Sequence, residues 1–351
     1  MTLKSVFCPL ISCVFFLSSC ANDVLDVDAS DVNVDIDFLN MDSILVHSDS
    51  AQFMKYHTRW KSEIKDFYAY QIAHCLGIRT EEDTTVLRAI HEFVSDPYIS
   101  RLEKRMGEKY KDLSDEKETL IDGFKHLKYH FPEGKIPKNI VFMNSFFAIS
   151  GSSPEMDLGA SAHGTELGIG LERYLGPTTD VIRELPPMDF YQWMKDEMKP
   201  AYLERDALAT WIDVHYVDEP RGESLIEHMI YWGKVLYLVE ASYPDAAKRI
   251  VLRYSEDEYQ WALDNEAFFW GYLVDQKMLF KLDERTKTNL LRSGPFTPGL
   301  PENGENSPDR LGQFLGWRMV HQYMEEMEIS VSEMIAKDYK EIYQSYNIEE
   351  E

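Results

Sequence analysis

Apolar side chains recur at three- and four-residue steps over most of this chain, which is the spacing of one face of an α-helix. In the first third, the spacing predicts one long helix over 53–67 that ends near Gly77, and another that ends at Pro132. Further helices are predicted over about 188–197, 201–214, 222–241, 255–280, 310–327 and 330–345. The chain is therefore expected to be largely helical.

Strand-like runs interrupt the helical pattern near residues 136–176. Residues 140–143 and 146–149 are short apolar runs, and residues 164–171 alternate apolar side chains with glycine. Glycines in a strand indicate either a sheet edge or a close approach of another part of the chain. The expected fold class is therefore mainly α (α+β), with one small central sheet.

The first twenty residues predict a lipoprotein signal. An apolar stretch ends in Leu17-Ser18-Ser19-Cys20, and it is too short to remain as a membrane helix, which needs about 20 apolar residues. Residues 1–19 are expected to be removed, and the thiol of Cys20 is expected to carry lipid. Several acyl chains at that position would give stable membrane attachment. The alternative is a plain secretory signal in which Cys20 has no special role.

An acidic segment follows Cys20. Residues 20–34 are rich in Asp, Asn and Ser and predict a solvated tether. The alternative is a strand, because Val32, Val34 and Ile36 alternate with polar residues. We expect the tether to run into a short strand, and residues 35–351 to form a single domain.

Charge and cysteine content exclude some classes of protein. The net charge is −25, and so acidic a surface repels the phosphate backbone of nucleic acids. Loss of residues 1–19 and lipidation of Cys20 leave Cys75 as the only free thiol, so no internal disulfide is expected. Apolar residues make up 44% of the sequence, which is enough for a hydrophobic core.

His228 lies on the predicted 222–241 helix and is the first candidate for a metal site. Zinc peptidases carry His-Glu-x-x-His on such a helix, because a four-residue step places both imidazoles on one face. Met229 occupies the Glu position and Trp232 the second His position. A thioether does not activate water and an indole N–H has no lone pair for a metal, so packing of His228 in a half-buried interface is the favoured interpretation.

Three other patterns in the sequence could contribute to a site or to close packing. His126 and His130 have the four-residue step but no general base between them, so surface histidines are expected. Glu266 lies among aromatic residues and is expected to pair with a cation, for which the candidates are Lys234, Arg310 and Arg318. Gly312 and Gly316 predict a close approach of a neighbouring backbone.

Several segments in this order resemble the gliding motility lipoprotein GldB family of Bacteroidetes. The most specific elements are Tyr-Leu-Gly at 174–176 and Met-Ile-Tyr-x-Gly-Lys at 229–234. The resemblance covers nearly the whole chain after the signal, through residues 124–132, 168–176, 220–226, 229–234, 265–266, 294–296 and 312–317.

The resemblance implies a role in gliding motility and in the linked protein secretion machinery of the envelope. The family is also distantly similar to predicted zinc proteases. That similarity implies a zincin-like helical body in which His228 and Glu266 are remnants of a metal site that has lost its catalytic Glu and second His. No metal, no cofactor and no catalytic residue are therefore expected.

The expected function is that of a membrane-anchored, non-enzymatic scaffold whose partners are envelope motility and secretion proteins. The residue after the cysteine is Ala21 and not Asp. By analogy with the sorting of other Gram-negative lipoproteins, this favours the outer membrane, facing the periplasm. Two alternatives remain: a metal-dependent hydrolase with atypical ligands, and a peptide- or glycan-binding module whose cleft is lined by Tyr231, Trp232 and Trp270.

Overall fold

The computed structural model describes residues 24–79, 83–148, 158–222, 224–301 and 304–348, so the predicted signal peptide and Cys20 lie outside the described residues. Helices account for most of the described chain. In order they are α1 Met41–His47, α2 Ser50–Glu63, α3 Lys65–Tyr70, α4 Asp83–Val94, α5 Pro97–Lys109, α6 Ser114–His130, α7 Asp180–Arg183, α8 Gln192–Asp196, α9 Leu203–His215, α10 Leu225–Ser242, α11 Lys248–Val251, α12 Glu256–Asp264, α13 Glu266–Asp275, α14 Glu284–Leu291, α15 Leu311–Met327, α16 Val331–Ile335 and α17 Tyr339–Ser345.

Four strands form one small mixed sheet. They are β1 Asp37–Asn40, β2 Asn139–Met143, β3 Ala160–His163 and β4 Glu166–Gly170. The spatial order is β1-β2-β4-β3, in which β1, β2 and β4 are parallel and β3 is antiparallel to β4. The predicted mainly α (α+β) class is confirmed.

The structure corrects the strand predicted near residue 146, and it shows which role the glycines of the strand predicted over 164–171 have. Residues 146–148 are not a strand, because Phe146 and Phe147 have φ values of 52° and 61°, in the left-handed region. Strand β4 lies inside the sheet and not at its edge. Its glycines instead allow a close approach, since a Cβ atom on Gly168 would meet the ring of Phe67.

Two predicted helices are divided in the structure. The helix expected over 53–67 breaks at Ile64, whose φ is −127°, and α3 continues into a short π-helix over Gln71–Cys75. The helix expected over 255–280 begins with the predicted capping box at Ser255 but breaks at Asn265 and ends at Asp275. The apolar spacing continues across both breaks, so it did not reveal them.

The sheet separates two apolar clusters. Successive residues of β2 face opposite sides: Ile140 and Phe142 belong to the larger cluster, and Val141 and Met143 to the smaller one. The smaller cluster is formed with α1 to α4, and the larger one contains α10 and α15. The acidic segment before residue 35 is not fully solvated, because its Leu25 and Ala29 side chains are only 5% and 3% exposed. The division into a tether over 20–34 and a domain over 35–351 stays a prediction.

Helix α10 crosses α15 at a glycine contact. A Cβ atom on Gly316 would overlap the carbonyl oxygen of Met229, and one on Gly233 would overlap the carbonyl oxygen of Gly316. A Cβ atom on Gly312 would lie 2.8 Å from the carbonyl oxygen of Leu290. The predicted close approach at Gly312 and Gly316 is therefore confirmed. None of the helices in the described ranges is long and apolar enough to span a bilayer.

Candidate functional site

His228 lies in the first half of α10, where it is half-buried. Met229 is 0% exposed and Trp232 is 2% exposed. The positions that would carry the Glu and second His of a zinc peptidase therefore face the core. Both hold apolar side chains that contribute to packing, which is a structural reason for the departure from the metal-binding pattern.

His126 and His130 are not surface side chains, contrary to the sequence-based expectation. His126 is 8% exposed, and its Nδ1 donates to the Asp122 carbonyl at 2.9 Å. Burial, and next the charge of His126, lower the pKa of His130 to about 4, because burial disfavours the charged imidazolium. Both residues lie in the last two turns of α6, where the helix packs against the body.

Glu266 begins α13, directly after the break at Asn265. Its two carboxylate oxygens each accept from Nε of Arg318 at 2.9 Å, and Oε1 also accepts from the Tyr346 hydroxyl at 2.7 Å. Of the cations proposed from the sequence, Arg318 is the partner. Arg310 instead pairs with Asp309. Burial, and next the negative charge of Glu266, raise the pKa of the Tyr346 hydroxyl.

These contacts leave Glu266 poorly suited to a metal ion. Its oxygens already hold a guanidinium and a phenol, and Arg318 would place a positive charge against any cation bound there. Within the described ranges, no group of three or more His, Cys, Asp or Glu side chains is arranged to hold a metal. The donor set that the zinc protease resemblance implies does not fit a zinc ion.

A groove of about 860 Å³ lies beside Glu266. It is formed by the junction of α12 and α13, by one face of α15, and by the residues that follow α17. The side chains that line it are mostly polar, with a smaller apolar share: Leu263, Asp264, Glu266, Ala267, Arg318, His321, Gln322, Glu325, Tyr346, Asn347 and Ile348.

His321 lies on the wall of this groove and is held from behind by Glu240. The Glu240 side chain is 1% exposed. Its Oε2 accepts from His321 Nε2 at 2.7 Å and from Trp317 Nε1 at 2.8 Å, and Lys248 bonds to its other oxygen. Buried carboxylates require such partners. The sequence interpretation did not select Glu240, although one acid within the apolar run 235–241 was a detectable signal.

Lys234 belongs to a separate pocket of about 270 Å³. Its ammonium donates to the carbonyls of Ile335 and Lys337 at 2.9 and 2.6 Å, and burial lowers its pKa to about 8. Tyr231 also lines this pocket. Trp232 is buried in the core, and Trp270 stacks edge-on against Tyr346 at 5.0 Å. Tyr231 and Trp232 contact each other edge to face, with ring centroids 5.0 Å apart, whereas Trp270 packs against Tyr346. The three aromatic residues therefore do not line one cleft.

Comparison with known proteins gives one result on the family. The family model described as gliding motility protein GldB matches residues 22–347. No curated protein matches the chain, and no solved structure matches it. The family match includes both helices of the glycine crossing, the Lys234 pocket and all of the groove except Ile348. Because the match covers far more than half of the sequence, the chain belongs to the GldB gliding motility protein family.

Proposed function

We propose that this protein is a lipid-anchored envelope protein that supports gliding motility and the linked secretion machinery as a non-enzymatic scaffold. The observation that carries the proposal is the GldB family match over residues 22–347. The Leu-Ser-Ser-Cys sequence that ends at Cys20 supports the anchor. Ala21 favours the outer membrane, with the body facing the periplasm.

The anchor is tested by replacing Cys20 with Ser in the native organism. The Cys20→Ser protein is expected to lose incorporation of a labelled fatty acid and to leave the membrane fraction, because no thiol remains to carry the acyl chains. Cys13→Ser is the matched control, since it removes a thiol from the segment expected to be discarded. Full lipid labelling of the Cys20→Ser protein would refute the anchor.

The scaffold role is supported by the contacts of Glu266 and of the two residues that stand where a zinc peptidase would have its Glu and second His. Glu266 is engaged by Arg318 and Tyr346, and Met229 and Trp232 pack in the core. Elemental analysis of the purified protein is expected to find less than one zinc per chain, and cells that carry His228→Ala are expected to retain gliding. One bound zinc per chain that is lost in His228→Ala would contradict this proposal and favour the alternative of a metal-dependent hydrolase.

The surface near α13 is consistent with a scaffold. Phe268 and Val274 on α13, and Phe280 and Leu282 after it, are 46%, 46%, 58% and 63% exposed. Large apolar side chains exposed to water are available for contact with another molecule. Crosslinking and pull-down from the native envelope are expected to recover motility or secretion proteins. Recovery of none of them, when an unrelated envelope lipoprotein serves as control, would contradict the scaffold.

A second function, that of a binding module, is favoured by the groove beside Glu266. Its volume of about 860 Å³ is within the range of small-molecule binding sites. The aromatic cleft expected from Tyr231, Trp232 and Trp270 does not supply this site. Binding and scaffold roles are compatible, because a scaffold can hold a partner through one of its peptide segments.

A further inference from the structure

We propose that the groove beside Glu266 binds a peptide's carboxyl terminus, with the Arg318 guanidinium as the group that receives the carboxylate. The proposal deepens the second function above and does not depend on the lipid anchor. It is carried by the orientation of Arg318, by the charges that surround it and by the shape of the groove.

Glu266 fixes the orientation of the Arg318 guanidinium but engages only one of its three nitrogen atoms. Both of its bonds to Glu266 are made by Nε, and its side chain remains 39% exposed. In the described part of the chain, its Nη1 and Nη2 atoms donate to no other group. Glu266 is itself held by Tyr346, so the guanidinium is braced from one side. A braced guanidinium with unused N–H donors matches the planar geometry of a carboxylate.

His321 and Gln322 extend the polar wall next to Arg318. All three side chains are on α15 and line the groove. His321 is oriented by the buried carboxylate of Glu240, in the same way that Arg318 is oriented by Glu266. The carboxylates of Glu240 and Glu266 thus hold His321 and Arg318 in fixed orientations in the wall of the groove. Preorganised binding sites require side chains that are fixed in this way.

The remaining charges select against a plain anion. Asp264 and Glu325 also line the groove, and the chain as a whole carries a net charge of −25. Such a field disfavours phosphate and polyanions. A ligand with a carboxylate and a nearby cationic group satisfies Arg318 and the acidic side chains together. A peptide that ends in Lys has both groups, and Leu263, Ala267 and Ile348 offer apolar contact to its chain.

Isothermal titration of the purified full chain in detergent tests the proposal. The probes are the tripeptide Ala-Ala-Lys with a free carboxylate, the same tripeptide as its carboxyl amide, and inorganic phosphate. The free acid is expected to bind at least tenfold more tightly than the amide, which lacks the carboxylate for Arg318. Equal binding of acid and amide, phosphate binding as tight as that of the acid, or no binding of the acid at millimolar concentration would each overturn the proposal.

Variants identify the receiving group. Arg318→Gln is expected to weaken binding of the free acid at least tenfold, whereas Arg285→Gln, the same change at an exposed arginine on α14, should leave it unchanged. Unaltered affinity in a folded Arg318→Gln protein would refute the assignment.

A second variant does not disturb the Glu266 pair. Glu325→Gln is expected to weaken binding of Ala-Ala-Lys but not of Ala-Ala-Ala, and equal effects on both peptides would refute the role of the acidic rim. These results are independent of the Cys20→Ser experiment, so failure of peptide binding leaves the proposed anchor to its own test.

Discussion

The glycine crossing of α10 and α15 yields a graded prediction for stability. In an ordinary helix, Gly→Ala stabilises by about 1 kcal/mol, because alanine loses less backbone entropy on folding. At Gly316 the new methyl group would overlap the Met229 carbonyl oxygen, well inside the 3.0 Å that Cβ atoms normally respect. No side-chain rotation can relieve a clash with helical backbone, so the two helices must move apart.

Overpacking of one methyl group costs about 1–3 kcal/mol, and we expect the upper value where the obstacle is backbone. After the gain in helix propensity, Gly316→Ala should lower the free energy of unfolding by about 2 kcal/mol. Gly312→Ala should cost less, since its Cβ would lie 2.8 Å from the Leu290 carbonyl oxygen. Gly271→Ala in α13 is the control: its Cβ would meet nothing within 4 Å, so this variant should be stabilised.

The assay is urea unfolding followed by circular dichroism and by tryptophan fluorescence, with all variants at one pH and one protein concentration. The expected order of midpoints is Gly271→Ala above the unmodified protein, then Gly312→Ala, then Gly316→Ala. A Gly316→Ala protein as stable as Gly271→Ala would refute the reasoning, because it would show that α10 and α15 do not touch through backbone at this position.

Three further predictions concern buried charge. Burial raises the pKa of Glu204 from 4.5 to about 7. The contribution of the protonated carboxyl to stability is therefore fully present below pH 4.5 and is lost as the pH rises through 7. In urea unfolding at a series of pH values, Glu204→Gln should remove up to about 3 kcal/mol of this pH-dependent loss. Burial also raises the pKa of Asp42, which shares a proton with Glu103 in a hydrogen bond. The free energy of unfolding should therefore fall as the pH rises through the raised pKa, and Asp42→Asn should reduce this fall. An unchanged pH profile in Asp42→Asn would contradict the shared proton. Lys234→Met removes the bonds to the carbonyls of Ile335, which ends α16, and of Lys337, which follows it. This variant should speed amide hydrogen exchange over 331–345, with exchange in α6 as the internal control.

The helical class was predictable because an amphipathic helix repeats its apolar side chains over a few neighbouring residues. The same local pattern cannot detect a break that keeps the spacing, and so the interruptions at Ile64 and Asn265 were missed. The strand expected over 146–149 is wrong for 146–148, the part that the structure describes, and the reason is related. Apolar composition indicated a strand, but the left-handed backbone of Phe146 and Phe147 does not depend on composition alone.

The candidate site was predictable only in part. An acid among aromatic side chains needs a cation, and this rule reduced the partner of Glu266 to three candidates. The choice of Arg318, 52 residues away, depends on how α13 packs against α15. Tyr346, His321 and Glu240 enter the site through the same packing, and no short motif connects them in the sequence.

The sequence by itself determined the mainly helical class, the pattern that predicts a lipid anchor at Cys20, and the segments that resemble the GldB family. Each of these is written in neighbouring residues. Only the tertiary structure decided that Glu266 holds Arg318, that Met229 and Trp232 fill the core, and that a polar groove opens beside α15. These three features depend on contacts between helices that are distant in the chain. Local periodicity is compatible with many arrangements of those helices, whereas close packing of their side chains allows only one.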